Sequence, residues 1–266
     1  MADNTFHSRT RPILGDDGIR LLEQHIIGIA GLGGVGGGTF LALVRAGVKR
    51  FRLAENGIFD PPDMNRQAAA FGSSMDRPKL DVYVELAKSI NPDVELDLYP
   101  EGVTTDNLET FLKGSDAYIG VIDVEKGEDV KVMSPALLQK HNIPLFTCGA
   151  IGFGALMVNH HPQGMMPDEF WQKIQEKSDG QSGLMPSYIA NFFAKSVIDK
   201  VQQGYGQGTV ATTSIGGLCS NALLASEVLA WILRDTELVQ REILFAPHFA
   251  TVDMINMNLS CGNIND

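Results

Sequence analysis

A dense cluster of glycines directly after a short apolar run is the feature that most limits how this chain can fold. The run is Ile26–Ala30, and a pattern typical of a helix follows the glycines. Glycine lets the backbone turn tightly and approach a ligand closely, because it has no Cβ. The first turn of the following helix presents free N–H groups and a positive dipole end to an anion. The segment therefore predicts a strand, a phosphate-binding turn and a helix. The glycines expected at the phosphates are Gly31, Gly33, Gly34 and Gly36.

Composition narrows the class of protein. The chain has 266 residues, 44% of them hydrophobic, and a formal net charge of −11. These values are ordinary for a globular protein, and the negative charge argues against a nucleic acid as the main partner. We see no apolar core of a secretory signal at the N-terminus and no run of about 18 apolar residues that would predict a membrane span. Three widely spaced cysteines form neither a disulfide framework nor a zinc-binding pair, so we expect a cytoplasmic protein without structural zinc.

Apolar strand patterns alternate with helical patterns up to about residue 150. This alternation predicts an α/β fold with a Rossmann-like, doubly wound, mostly parallel sheet, followed by a C-terminal antiparallel extension. We expect helices at 105–112, with Thr105 or Asp106 as N-cap, and at 134–141, and a fifth strand at 144–148. The whole chain, 1–266, is interpreted as one domain. Its expected parts are a nucleotide-binding core (1–160), an insertion that shapes the acceptor surface (161–210), and a C-terminal helix with strands (211–266).

Glu55 follows the second predicted strand, about 20 residues after the glycine cluster. An acidic residue at that place binds ribose hydroxyls in dinucleotide-binding folds. The glycine turn and Glu55 together leave two ligands open. One is NAD, in an oxidoreductase or a sensor, and the other is ATP.

The residues after Glu55 favour ATP. In order, the chain carries Asn65-Arg66-Gln67, then Pro78-Lys79, then Ile90-Asn91-Pro92, and then Asp123 after the fourth predicted strand. With the glycine turn, these motifs resemble the ThiF/MoeB/HesA family of adenylating enzymes, which is related to ubiquitin-activating enzymes. The resemblance extends over about 115 residues and also includes Arg9-Thr10-Arg11; past residue 160 it is limited to the apolar helix.

The resemblance implies a role for each matching residue. Glu55 would hold the ATP ribose, Arg66 and Lys79 would neutralise the triphosphate, and Asn65 and Gln67 would also bind the nucleotide, Gln67 helping to position the triphosphate. Asp123 would hold Mg²⁺, for which oxygen ligands and phosphates are suited. A carboxylate would attack the α-phosphorus and form an acyl-adenylate and pyrophosphate. A forked guanidinium and a compact ammonium suit the charge that such a reaction develops.

The resemblance also implies partners. The carboxylate would be the C-terminal glycine of a ubiquitin-like protein, a small carrier protein or a peptide. An N-terminal arginine, Arg11 or else Arg9, would reach the phosphates of a neighbouring subunit, which makes a homodimer the expected assembly. No membrane partner is expected; tRNA remains open, because some family members serve tRNA base dehydration. A family member that is not catalytic and only scaffolds a partner is a further alternative.

Three positions depart from the pattern of the family. Glu55 replaces the usual aspartate, and Gly57 replaces a frequent second acidic residue. Asp63 stands where asparagine is usual, so it adds a negative charge that either recruits a second cation or weakens ATP binding. The sequence does not say whether a cysteine is an acceptor thiol. Cys148 and Cys219 lie in apolar segments and are expected to be buried, whereas Cys261 lies near the C-terminus.

Overall fold

A parallel sheet is the centre of the computed structural model, which describes residues 5–122, 127–180, 185–207 and 210–266. Its strands are β1 (Ile26–Ala30), β2 (Arg50–Ala54), β3 (Glu95–Tyr99), β4 (Ala117–Gly120) and β5 (Leu145–Phe146). They lie side by side in the order β3-β2-β1-β4-β5. The strand order reverses at β1 and β4, and in open α/β sheets ligands bind beyond the carboxyl ends of the strands at such a reversal.

Helices cover both faces of this sheet. They are α1 (Arg11–Gln24), α2 (Gly36–Ala46), α3 (Lys79–Ile90), α4 (Leu108–Leu112) and α5 (Glu128–His141). The apolar core on one face joins Ile27 and Ile29 of β1 to α2 and α3. The core on the other face joins Ala30 to α4 and α5. Because side chains of a strand alternate between faces, one strand serves both cores, and the predicted doubly wound fold is confirmed.

A second, antiparallel sheet follows the parallel one. Its strands are β6 (Cys148–Ile151), β7 (Gly154–Met157), β8 (His248–Asp253) and β9 (Asn258–Asn263), in that order. Helices α6 (Pro167–Lys177), α7 (Ser187–Ala190) and α8 (Lys195–Tyr205) share an apolar core with this sheet. Phe170 and Ile174 of α6 are fully buried there. The antiparallel extension is confirmed, and most of the expected insertion at 161–210 is packed onto it.

Three predicted boundaries were wrong. The strand expected at 144–148 ends at Phe146, and Cys148 already belongs to the antiparallel sheet. Helix α4 begins at Leu108, because the Thr104 and Asn107 side chains each accept a hydrogen bond from the other's backbone N–H and close a turn before it. Helix α5 begins at Glu128, six residues before the predicted start, and it carries Pro135 in its interior.

Helix α9 (Ser214–Ile232) connects the two sheets. It packs against α2 on one side and against β6 and β7 on the other. Within the described ranges it is one helix that could cross a membrane by length and composition, and half of its most apolar window is buried. The sequence predicts an apolar helix here but no membrane span, because Asn221 and Glu227 interrupt the apolar run. Both of these polar residues are buried in the fold.

Candidate functional site

The glycine turn lies at the carboxyl end of β1, where the strand order reverses. Gly31 has φ +93°, and its N–H donates to the carbonyl of Ala54 at 2.9 Å. A Cβ on Gly31 would lie 2.7 Å from the carbonyl oxygen of Val121, and one on Gly36 would collide with the carbonyl oxygen of Gly31. These two glycines are therefore required by the packing of the backbone itself.

Gly33 and Gly34 differ from that pair. A Cβ on Gly33 would meet nothing nearer than Gln67 Nε2, at 3.9 Å. A Cβ on Gly34 would lie 3.2 Å from Cγ of Arg66. The predicted phosphate glycines thus divide into two that close the turn and two that face the side chains after β2.

Glu55 directly follows β2 and lies beside this turn. Its Oε2 accepts a hydrogen bond from the N–H of Leu32 at 2.6 Å, and its Oε1 accepts one from the N–H of Gly57 at 2.7 Å. A Cβ on Gly57 would lie 2.9 Å from Oε1 of Glu55 and 3.5 Å from Cδ of Lys79. Glycine at position 57 therefore leaves room for the two longer side chains, and the carboxylate joins the turn to the loop after β2.

Asp63 is the centre of a cluster of polar side chains. It lies in a 3-10 helix (Pro61–Asn65) and is 5% exposed. Its Oδ2 lies 3.0 Å from Nζ of Lys79, and its Oδ1 lies 3.7 Å from Nη2 of Arg66 and accepts from Nε2 of Gln67. The sequence predicts that Asp63 either recruits a second cation or weakens ATP binding. In the structure the charged partners of Asp63 are Lys79 and Arg66 of the chain itself.

Asn65 and Arg66 lie next to the start of helix α9. Asn65 Nδ2 donates to the carbonyl of Thr212 at 3.4 Å, and its Oδ1 accepts from Nη1 of Arg66 at 3.0 Å. The same Nη1 donates to the carbonyl of Pro62 at 2.9 Å. A Cβ on Gly217, in the first turn of α9, would lie 3.2 Å from the carbonyl oxygen of Arg66. These contacts keep the guanidinium over Gly34.

Arg11 lies elsewhere in the chain. It forms an ion pair with Asp16, and its neighbours Thr10 and Leu14 line an apolar cavity together with Ala46, the last residue of α2. The glycine turn is at the other end of α2, which has 11 residues and so is about 16 Å long. Arg11 is therefore not brought to the site within one chain. Asp123 lies outside the described residues.

Sequence reasoning missed a buried polar group under the glycine turn. Within the described ranges, Thr39 Oγ1, Gln67 Oε1, Tyr83 OH and Asn221 Oδ1 are buried without a hydrogen-bond partner. A Cβ on Gly37 would collide with the Tyr83 hydroxyl. Burial raises the pKa of Tyr83; the backbone of Ala69 lowers it in part, and the nearby negative charges of Glu55 and Asp63 raise it. The available signal was the spacing of Lys79 and Tyr83, which stand four residues apart on one face of α3.

A polar cavity of about 490 Å³ lies at the same edge of the sheet. The lining residues come from the segments after β3 and β4: Thr104, Thr105, Gly127, Glu128, Asp129 and Val130. Asn56, next to Glu55, donates from Nδ2 to the carbonyl of Glu101 at 3.2 Å. This hydrogen bond joins the loop after β2 to the segment that leads into Thr104, and the volume of the cavity suits a small ligand.

The three cysteines, left open as acceptor thiols, and His160 differ in their exposure. Cys148 is buried, and burial raises its pKa; burial also raises the pKa of the half-buried Cys219, whereas Cys261 is exposed. His160 is 2% exposed, with Nδ1 2.9 Å from the carbonyl oxygen of Met165. Within the described ranges no group of three or more His, Cys, Asp or Glu side chains could hold a metal ion. The buried thiols behave as small apolar side chains.

The fold defines a Rossmann-like α/β protein with a glycine turn at the carboxyl ends of its parallel strands. Within that class the chain belongs to the ThiF family, whose model matches residues 7–264. The resemblance inferred from the motifs is therefore confirmed.

Several relatives share part of the sequence. The chain is 29% identical to the sulfur carrier protein ThiS adenylyltransferase of Escherichia coli (strain K12). The 164 matched residues cover 59% of this chain and 63% of that protein. It is 30% identical to the tRNA threonylcarbamoyladenosine dehydratase of Bacillus subtilis (strain 168). The 140 matched residues cover 53% of this chain and 54% of that protein. These matches span less than two thirds of either relative.

Solved structures share the fold over almost the whole chain. Escherichia coli MccB with ATP has a TM-score of 0.72 at 15% identity, and 99% of this chain aligns with 72% of that one. PaaA has a TM-score of 0.67 at 15% identity, and 99% of this chain aligns with 68% of that one. At this identity the likeness shows the fold alone.

Proposed function

We propose that this chain transfers the adenylyl group of ATP to a carboxylate and releases pyrophosphate. The observation that carries the proposal is that Gly33, Gly34, Arg66, Lys79 and Gln67 lie together at the carboxyl edge of the parallel sheet. A hydride-transfer site needs a glycine turn and an acidic residue, but it has no need for the two cations.

The phosphates would lie over Gly33 and Gly34 of the glycine turn. The N-terminus of α2 offers free N–H groups there, and Gly33 has open space where a side chain would stand. Arg66 offers a forked set of donors and Lys79 a compact charge, which together stabilise charge that develops at the α-phosphate. Gln67 Oε1 has no hydrogen-bond partner and can only accept, so through that atom the residue would orient a water or hydroxyl rather than a phosphate.

The nucleoside would lie across the Glu55 loop. Two lone pairs of the Glu55 carboxylate are used by Leu32 and Gly57, and two remain for the ribose hydroxyls. The cavity beside Thr104 and Gly127 would take the base. Asp123 would hold Mg²⁺, which would supply positive charge to offset the negative charge of the phosphates.

In the reaction a carboxylate oxygen forms a bond to the α-phosphorus, and the bond from that phosphorus to the bridging oxygen breaks. The electron pair leaves with pyrophosphate, so no proton has to move. The chain's own residues position the two reactants and stabilise charge.

The carboxylate we propose is the C-terminal glycine of a ubiquitin-like protein, a small carrier protein or a peptide. The names of the relatives support this: one is an adenylyltransferase of the sulfur carrier ThiS, and MccB has been solved with MccA. The helices of 161–210 flank the antiparallel sheet and would shape the acceptor surface. Arg11 would act from the second subunit of a homodimer, because it lies far from the glycine turn of its own chain. A tRNA substrate is the alternative that the dehydratase relatives keep open.

Pyrophosphate–ATP exchange with candidate C-terminal peptides tests the proposal. We expect exchange that depends on the peptide and falls at least a hundredfold in Arg66→Ala. Arg50→Ala is the matched control, because Arg50 starts β2 at the opposite edge of the sheet and pairs with Glu95. Tight NAD binding without ATP binding would instead identify a dinucleotide protein. ATP binding without exchange for any carboxylate would indicate a scaffold.

A further inference from the structure

The charges at this site point to a role for Asp63. Arg66 and Lys79 bring two positive charges, and Asp63 and Glu55 bring two negative charges. These four charges therefore cancel before any ligand binds. A bare triphosphate would enter a site whose cations already have a carboxylate between them.

The Asp63 carboxylate is more buried than a typical surface carboxylate, and both of its oxygens have partners. Its side chain is 7% exposed, and that of its partner Lys79 is 14% exposed. Both oxygens are occupied: Oδ2 by Lys79 and by the N–H of Asp60 at 3.3 Å, and Oδ1 by Gln67 and Arg66. Ions shielded from water interact more strongly than exposed ones, so this negative charge acts on whatever binds next to Lys79.

Lys79 can still reach a ligand from this position. An ammonium group has three N–H donors, and Asp63 Oδ2 takes one of them at 3.0 Å. The Phe59 ring, with its centroid 5.5 Å from Nζ, faces another side of the group. Lys79 therefore contributes to anion binding with its charge largely compensated.

We propose that Asp63 is a specificity-determining residue that makes the site select nucleoside triphosphate already carrying a divalent cation. The inference rests on the proposed ATP site and adds the ionic form of the nucleotide that this site accepts. Metal-free triphosphate is opposed by the buried carboxylate, whereas the cation-bound form brings its own compensating charge. Removal of the Asp63 charge should therefore strengthen binding of the metal-free form selectively.

Calorimetric titration with α,β-methylene ATP tests this, once with excess Mg²⁺ and once with EDTA. For the wild-type chain we expect the dissociation constant to be at least thirtyfold higher in EDTA. In Asp63→Asn, affinity for the metal-free form should rise at least tenfold, and affinity for the Mg²⁺ form should change less than threefold. Asp63→Ser, a smaller neutral variant, should give the same shift, so a packing defect of one variant does not decide the result.

Asp81→Asn is the matched control. Asp81 is an exposed carboxylate in the first turn of α3, two residues after Lys79, and its removal changes the net charge equally. Its ratio of the two dissociation constants should equal that of the wild type.

A second measurement needs no nucleotide. In urea unfolding, the midpoint shifts of Asp63→Asn and Lys79→Met should not add in the double variant, because the two side chains form one ion pair. An unchanged EDTA-to-Mg²⁺ ratio in both neutral variants would overturn the role of Asp63 and leave the proposed function standing. Equal loss of both nucleotide forms in folded variants would overturn it too. No binding to the wild type, with or without Mg²⁺, would overturn both proposals.

Discussion

Glu55 Oε2 accepts a 2.6 Å hydrogen bond from the backbone N–H of Leu32, so the end of β2 is tied directly to the glycine turn. The other oxygen is tied to the N–H of Gly57 at 2.7 Å. An aspartate is one methylene shorter and would not span the same two amides from this backbone position. The longer side chain is thus matched to the glycine at position 57.

Replacement of Glu55 by Gln tests this arrangement. The amide has one acceptor oxygen, so its NH₂ group would face the N–H of Leu32 or of Gly57. An unsatisfied partner of this kind costs about 1–3 kcal/mol of unfolding free energy. We also expect at least a tenfold loss of ATP affinity, about 1.4 kcal/mol. Urea unfolding and calorimetry measure the two effects.

Glu101→Gln is the control for that variant. Glu101 Oε1 accepts a hydrogen bond from Asn107 Nδ2 at 3.0 Å on the protein surface, and a glutamine can keep this bond. We expect wild-type stability and affinity. Wild-type affinity in Glu55→Gln itself would show that this carboxylate does not bind the nucleotide.

Arg241 and Glu227 form a second structural pair, remote from the site. Glu227 is buried in α9, and its Oε1 lies 3.0 Å from Nη1 of Arg241 and accepts the N–H of Leu244 at 2.6 Å. Arg241→Ala leaves a buried carboxylate without its cation. Because Arg241 is about half exposed, we expect a loss of about 2 kcal/mol, below the cost for a fully buried pair. Arg20→Ala, which breaks an exposed pair with Asp17, should change the free energy of unfolding by less than about 0.5 kcal/mol.

Much of the fold could be predicted from the sequence, because local pattern and tertiary structure agree there. The glycine turn, the strands around it and the placement of Glu55 follow from period and spacing. The start of α5 could not be predicted, because Pro135 disfavours a helix locally and tertiary packing overrides that preference. The partners of Asp63 could not be predicted from the sequence either, because they depend on how the 3-10 helix packs against the first turn of α3.

The thiols give a third prediction. Cys261 is exposed on β9, whereas Cys148 is buried and its pKa is raised by burial. Because the thiolate is the reactive form, Cys261 should react with a disulfide reagent at pH 8 at least a hundredfold faster than Cys148. Timed labelling with mass spectrometry identifies the residues. Cys261→Ser should abolish the fast phase, and all remaining thiols should react quickly in urea. Fast labelling of Cys148 in the folded chain would contradict its buried placement.

Acid should destabilise the fold through His160. Burial lowers the pKa of His160 to about 4, from an ordinary value of about 6.5. The unfolded chain therefore binds a proton at this residue between these values and the folded chain does not. The contribution of His160 to the free energy of unfolding is fully present above pH 6.5. It is lost as the pH drops toward 4, by roughly 3 kcal/mol in total.

Urea unfolding of the wild type and of His160→Asn, at pH 7 and at pH 4.5, measures this contribution. The asparagine amide can still donate to the carbonyl of Met165, as the histidine does at 2.9 Å. The variant should lose less stability than the wild type on acidification. His248→Asn, at an exposed histidine, should retain the wild-type pH dependence. An equal pH dependence in His160→Asn would mean that His160 is not buried in its neutral form.

An added methyl group should have different effects at two glycines of the same turn: at Gly36 it should lower the stability of the fold, and at Gly33 the affinity for ATP. A Cβ on Gly36 would collide with the carbonyl oxygen of Gly31, so Gly36→Ala should lower the unfolding free energy by 3 kcal/mol or more, as overpacking does. A Cβ on Gly33 would have nothing closer than 3.9 Å, so Gly33→Ala should fold like the wild type. Its methyl group would stand where the phosphates are proposed to bind, and ATP affinity should fall at least tenfold. If Gly33→Ala bound ATP normally, the phosphates would lie elsewhere on the turn.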